Sequence, residues 1–204
     1  MVETIKCGIV NAYLVRGDNA SILIDTGTSK FKNKVLKACK NENVKLIILT
    51  HGHFDHCQNA EFLAHKLNCL VGIAREDIEV LKSNHKRKVL GKTVWGKIYA
   101  CLSNHNIKKN KIEEVDPHII LENGMSLTDY GVDGKIIALP GHTKGSVGVL
   151  LATGEFLVGD AMQNIKTPSA TWCFEDYEQS QKSKELILRI GTKIFYGHGK
   201  STQL

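Results

Sequence analysis

Thr50-His51-Gly52-His53-Phe54-Asp55-His56 follows directly on the apolar run Val44–Leu49, and its reading decides the fold. Four metal-competent side chains stand within six residues, at the end of a segment that reads as a buried strand. Imidazole and carboxylate are ligands that borderline divalent ions take. Three further donors repeat the device. His142 follows the run Lys135–Leu139 across Pro140-Gly141, Asp160 follows Glu155–Val158 across Gly159, and His198 follows Lys193–Tyr196 across Gly197. Four strands are thus expected to end in a donor, three with a glycine immediately before it, where bulk would hinder close approach.

Strand ends in one layered core converge, so a single site of five histidines and two aspartates is expected. Seven donors exceed the four that one zinc ion usually takes. They suit two ions about 3.5–4 Å apart, bridged by a carboxylate and a water. Zinc, iron and manganese all accept this ligand chemistry.

Outward from the motif, strands dominate both halves of the chain. Gly8–Val15 and Ser21–Ile24, split by Gly17-Asp18-Asn19, predict a hairpin. Thr28-Ser29 is placed to cap a helix with the stripe Phe31, Val35, Ala38 and Cys39, and Ala60, Leu63, Ala64 and Leu67 mark a second helix. Cys69–Ile73, Ile119–Leu121, Lys135–Leu139, Val147–Leu151, Glu155–Val158 and Lys193–Tyr196 read as strands. Tyr177–Ile190 reads as a helix, with Gly191 in the position of a left-handed C-terminal cap. Helices packed outside a two-sheet core fit this order.

At 204 residues, 42% apolar and 24% charged, the chain is expected to form one domain, residues 1–204, around a real core. No apolar run reaches 18 residues, so no segment reads as a spanning helix, and no membrane partner is expected. Met1-Val2-Glu3-Thr4-Ile5-Lys6 does not read as a signal peptide, which makes a cytoplasmic location the expectation. The six cysteines include no C-x-x-C pair and read as free thiols, with Cys57 expected to be a small buried hydrophobe rather than a reactive group.

The net charge of +6 is unevenly placed: nine Lys or Arg and no Asp or Glu fall within a basic insert at about 82–112. Trp95 and Tyr99 sit among these lysines, four residues apart. The segment is expected to be a solvated helical face whose two aromatics pack on the core. A rim that attracts an anionic substrate is the alternative.

In order and spacing, Leu23-Ile24-Asp25-Thr26-Gly27, Thr50 to His56, Pro140-Gly141-His142-Thr143-Lys144-Gly145-Ser146, Gly159-Asp160 and Gly197-His198-Gly199 resemble the metallo-β-lactamase-fold hydrolase superfamily, and most nearly its small glyoxalase II-like branch. The resemblance implies an α/β (α+β) fold, a four-layer αββα sandwich with metals at one edge. Residue by residue, it implies that His51, His53 and His142 bind a first metal, that Asp55, His56 and His198 bind a second, and that Asp160 bridges them. Asp25 would lie behind the ligands and fix the tautomer of one of them; a plain strand-ending turn with Gly27 at positive φ is the alternative reading. Asp25-Thr26-Gly27 also matches the aspartic-protease signature, but one copy where two are needed would leave seven metal donors unexplained.

The implied activity is a dinuclear, zinc-dependent hydrolase, with Asp55 catalytic, acting through metal-activated water on a small thioester, lactone or related ester, anionic only if the basic insert forms a substrate rim. The glyoxalase II enzymes carry a C-terminal helical domain that binds glutathione; this sequence ends six residues after His198, so glutathione is not the expected substrate. The alternatives on the same fold are a mono-iron persulfide dioxygenase-like enzyme and a phosphodiesterase or nuclease. Nucleic acid is the less expected partner, because the RNA-processing relatives carry additional clamp domains. Pocket walls are expected from Gly91–Lys111 and Ala161–Phe174.

Overall fold

A computed structural model of the chain describes residues 1–83 and 87–204. Lys86, counted in the basic insert, lies outside the described residues. Strands β1 (Val2–Cys7), β2 (Val10–Arg16), β3 (Ser21–Ile24), β4 (Val44–Ile48), β5 (Leu70–Ile73) and β6 (Ile119–Ile120) form one sheet in that order. Its first three strands are antiparallel and the remainder parallel. The second sheet runs β13-β12-β9-β8-β7, from β7 (Gly134–Ala138), β8 (Val147–Leu151), β9 (Glu155–Leu157), β12 (Lys193–Phe195) and β13 (Thr202–Gln203). β10 (Met162–Gln163) and β11 (Ser169–Ala170) make a small antiparallel ribbon.

The side-chain period of two sorts each strand between two cores. Ile22 and Ile24 of β3, Leu46 and Ile48 of β4, and Val147, Val149 and Leu151 of β8 all enter the layer between the sheets. The alternate residues Leu23 and Ile47 face outward, beneath Val35 and Cys39 of α1 (Lys32–Cys39) and Leu63 of α3 (Ala60–Leu67). On the far side Phe156 and Ile194 meet Ile187 of α6 (Tyr177–Ile190). Both sheets are therefore buried on both faces, which is why their strands read as continuous apolar runs. The layers are α, β, β, α, as the resemblance implied.

Several local expectations change in detail. Val2–Cys7 was not read as a strand, yet it pairs with β2 along its whole length. Thr28 is extended and makes no side-chain cap bond; a 3-10 turn, Ser29–Phe31, leads into α1. Gly191 is no left-handed cap, since its φ is −81°. It is needed for close packing instead, because a Cβ there would overlap Ile194 Cδ1.

The basic insert begins in the last turn of α4 (Ile78–Ser83) and contains α5 (Val94–Lys109), capped by Thr93, whose hydroxyl accepts from Gly96 N–H at 3.0 Å. Tyr99 packs against the small cluster of Val89, Ala100, Ile107 and Cys173. Trp95 does not pack on the core: it is 77% exposed. On a helix, residues four apart lie on neighbouring but not identical directions, and here the core boundary falls between them.

The inter-sheet core carries the stability of the frame. Ile48→Ala, at a fully buried position, is expected to lower the unfolding free energy by about 2–5 kcal/mol. A lower urea midpoint with unchanged slope would register it.

Candidate metal centre

All seven predicted donors meet at one edge of the sandwich, where loops leave the ends of β4, β7, β9 and β12. Backbone bonds tie these loops together: across the two sheets Val147 N–H donates to Thr50 O at 2.8 Å and Asn11 N–H to Gly197 O at 2.8 Å, and within the second sheet Gly197 N–H donates to Gly159 O at 2.7 Å. Asp55 and His56 lie on the short helix α2 (Phe54–Cys57), which begins immediately after His53. Gly197 has to be glycine for the approach to close, since a Cβ there would overlap Asp160 Oδ1 and lie 2.8 Å from His56 Cε1.

Four of the five rings are held at the nitrogen that faces away from the cluster. His56 Nδ1 lies 2.7 Å from Asp25 Oδ2, His142 Nδ1 2.7 Å from Cys173 O, and His198 Nδ1 3.0 Å from Ile9 O. His51 Nδ1 lies 3.0 Å from Thr50 Oγ1, whose own hydroxyl proton is donated to Asp25 Oδ2 at 2.9 Å. A carbonyl or carboxylate can only accept, so Nδ1 carries a proton in these rings and Nε2 is the nitrogen that faces the cluster. His53 presents Nδ1, 2.9 Å from His142 Nε2.

The inward atoms form three overlapping groups, each with its donor atoms within 4.8 Å of one another: His51, His53 and His142; His51, His56 and Asp160; Asp55, His56 and His198. Asp160 sits between them, with Oδ1 3.4 Å from His56 Nε2 and Oδ2 3.2 Å from His198 Nε2 and 3.7 Å from His142 Nε2. Asp55 Oδ2 lies 3.6 Å from His198 Nε2. His51 Nε2, His56 Nε2 and Asp160 Oδ1 are buried without a hydrogen-bond partner. Buried polar atoms are seldom left so, and several lone pairs converging on one point is the donor set that a divalent cation satisfies.

The electrostatics divide the rings between neutral and charged forms. Burial, reinforced by the neighbouring imidazoles, holds His51 well below the ordinary histidine range, and burial with His142 beside it brings His53 down to about 3. Burial also disfavours a charged His56, but Asp160, Asp25 and Asp55 together outweigh it and raise that ring well above its usual value. Asp160 stays ionised despite burial because His198 and His56 face it. The Cys57 thiol is buried, donates to His51 O at 2.9 Å and is pushed up by burial, in keeping with the inert reading.

Residues 5–199 match the metallo-beta-lactamase superfamily. The chain belongs to that family. The expected fold and the class of metallohydrolase both hold, and the fold implies divalent metal binding, for which this donor set is the candidate. The probable metallo-hydrolase MJ0888 of Methanocaldococcus jannaschii is 29% identical over 93% of this chain and 87% of its own. The beta-lactamase-like protein 2 homologue of Caenorhabditis elegans is 27% identical over 93% of this chain, which spans 55% of that relative's length. Among solved structures, TTHA1623 in a di-iron-bound form superposes with TM-score 0.70 at 23% identity, covering 100% of this chain and 94% of that one. The metallo-beta-lactamase family protein TTHA1429 of Thermus thermophilus superposes with TM-score 0.73 at 19% identity, covering 99% and 74%. These two likenesses show the fold.

Behind the superfamily motif lie two carboxylates. Asp25, at φ +57°, accepts from Thr50 N–H at 2.8 Å as well as from the Thr50 hydroxyl, and it faces His56 Nδ1. Gly27 is also at positive φ, so the turn reading of Asp25-Thr26-Gly27 and the supporting role describe one structure.

Asp77 was missed, and nothing in its spacing marks it. Fully buried, it accepts from Gly52 N–H at 2.8 Å, Thr143 Oγ1 at 2.8 Å and Gly145 N–H at 3.1 Å, and pairs with Arg87. It thereby joins the loop of His51 and His53 to the loop of His142.

A cavity of about 370 Å³ opens on the donors. Tyr99, Ser103 and Asn106 line it from the expected stretch of α5, and Gln163, Thr171 and Cys173 from the other expected wall. Ile9 and the Lys30-Phe31 pair, which the sequence reading did not include, complete it.

Asp77→Ala takes one of two carboxylates from the half-buried Arg87, which keeps Glu175, and leaves two loop N–H groups unpaired. A loss of roughly 2–4 kcal/mol is expected from chemical unfolding, chiefly from buried donors left without an acceptor.

Proposed function

We propose that the chain is a dinuclear, zinc-dependent hydrolase of the glyoxalase II-like kind, acting on a small thioester, lactone or related ester. The observation that carries the reading is the position of Asp160, whose two oxygens reach toward the histidines of both end groups. A carboxylate so placed suits the bridge between two ions. His51, His53 and His142 would hold the first ion, and Asp55, His56 and His198 the second. Two divalent ions bound there would supply Lewis acidity and a water acidified toward a pKa of about 7.

The chain's own residues do the rest. Asp55 faces the cavity at the margin of the cluster, where its carboxylate orients the attacking water toward the substrate carbonyl carbon. Asp25 keeps the proton of His56 on Nδ1 and so leaves Nε2 free to bind. The apolar wall of Ile9, Phe31 and Tyr99 excludes bulk water from the acyl part of the substrate, and Lys30 supplies a cation suited to an anionic one. Addition of water at the carbonyl then releases a carboxylic acid and a thiol or alcohol.

Zinc-loaded protein is expected to hydrolyse members of a panel of thioesters and lactones, with iron-loaded protein assayed alongside. Asp160→Ala and His53→Ala are each expected to lose activity and bound metal together while circular dichroism stays that of the parent. Full turnover by metal-depleted Asp160→Ala would overturn the reading. Asp25→Ala is expected to weaken metal binding by about 10–100-fold, as removal of a supporting partner does, measured by competition with a chromogenic chelator.

A further inference from the structure

Helix α5 is apolar on two opposite faces. Ala100 and Ile107 point inward to the cluster with Val89 and Cys173, and Tyr99 and Ser103 of the same helix line the cavity. On the outer face Val94, Trp95, Ile98 and Leu102 are 74%, 77%, 48% and 60% exposed. Spacings of three, four and seven residues place these four in one stripe, and the exposed Leu90 precedes it. Single exposed apolar residues are ordinary, but a contiguous patch with a tryptophan in it marks a contact surface.

The charge around the stripe says what the contact is. The helix Val94–Lys109 contains Lys97, Lys108 and Lys109 and no acidic residue. Elsewhere in the insert, Lys82 pairs with Asp116, Arg87 with Asp77 and Glu175, and Lys92 lies over the Tyr177 ring. Among the described residues no carboxylate pairs with Lys88, Lys97, Lys108 or Lys109, all of them exposed.

We infer that the outer face of α5 docks on an anionic lipid surface, with Trp95, Ile98 and Leu102 entering the headgroup–acyl boundary and the lysines facing lipid phosphates and carboxylates. A second copy of the chain is the poorer occupant, since a two-fold contact through this face would bring two cationic inserts together. Single-stranded nucleic acid is poorer too. It binds by stacking on rings, and three of the four exposed side chains are aliphatic. The absence of a spanning segment, on which the expectation of no membrane partner rested, does not bear on a helix that lies along a surface. Docking would bring one wall of the cavity to the lipid interface, whether or not the metal reading holds.

The test is sedimentation of the full chain with vesicles of phosphatidylcholine alone and with about 30 mol% phosphatidylserine. The expected result is partition onto the anionic vesicles only, weakened by about 0.5 M NaCl. In the combined variant Trp95→Ser, Ile98→Ser, Leu102→Ser it should fall at least about tenfold at unchanged melting temperature. In Trp172→Phe protein, which leaves Trp95 as the remaining tryptophan, anionic vesicles should shift the emission to the blue and brominated lipid should quench it. This readout keeps the stripe itself intact.

Three results would overturn the inference: no partition onto anionic vesicles, a light-scattering dimer that the combined variant turns into a monomer, or oligouridylate binding that Trp95→Ser alone abolishes.

Discussion

A hydrogen bond at the far nitrogen decides which nitrogen of each imidazole turns toward the cluster, and four rings of this site are fixed in that way. Asp25, Cys173 O, Ile9 O and Thr50 Oγ1 each occupy an outward Nδ1. With those protons assigned, four Nε2 atoms turn inward beside His53 Nδ1 and the carboxylates of Asp55 and Asp160. The cluster is therefore not a chance gathering of loop histidines. Its donors are oriented from behind by groups that themselves belong to strand ends and tight loops, which is how a first layer of ligands is kept in register.

The arrangement is costly without a cation. Burial suppresses the charge on His51 and His53, while His56 and Asp160 hold opposite charges in the same enclosed space, and three inward atoms have no hydrogen-bond partner. A polar cluster that is only partly satisfied is destabilising, so the fold has to carry it. It does so through two apolar layers and a third beneath α6, and through Asp77, whose single buried carboxylate gathers two ligand loops at once.

The seven candidate donors were legible because each follows an apolar strand within a few residues, so position along the chain translates directly into position at the sheet edge. Layer order was legible for the same reason: runs such as Ser21–Ile24 and Val44–Leu49 are apolar on both faces. What was not legible depends on long-range packing. Val2–Cys7 carries charges at Glu3 and Lys6, as suits a strand at the sheet edge, and its pattern is correspondingly weak. Asp77 is one acid among several near Glu76 and Glu79, and only the arrival of Gly52, Thr143 and Gly145 around it distinguishes it. Trp95 looked like a core residue because tryptophan usually is one, and its exposure follows from the direction in which α5 presents it.

Metal stoichiometry tests the central claim most directly, by elemental analysis of protein purified without added metal. The account predicts close to two divalent ions per chain, zinc or a mixed pair containing it. A single iron per chain would contradict it: one ion would leave part of the seven-donor set without purpose and would shift the chemistry from hydrolysis to thiol or persulfide oxidation.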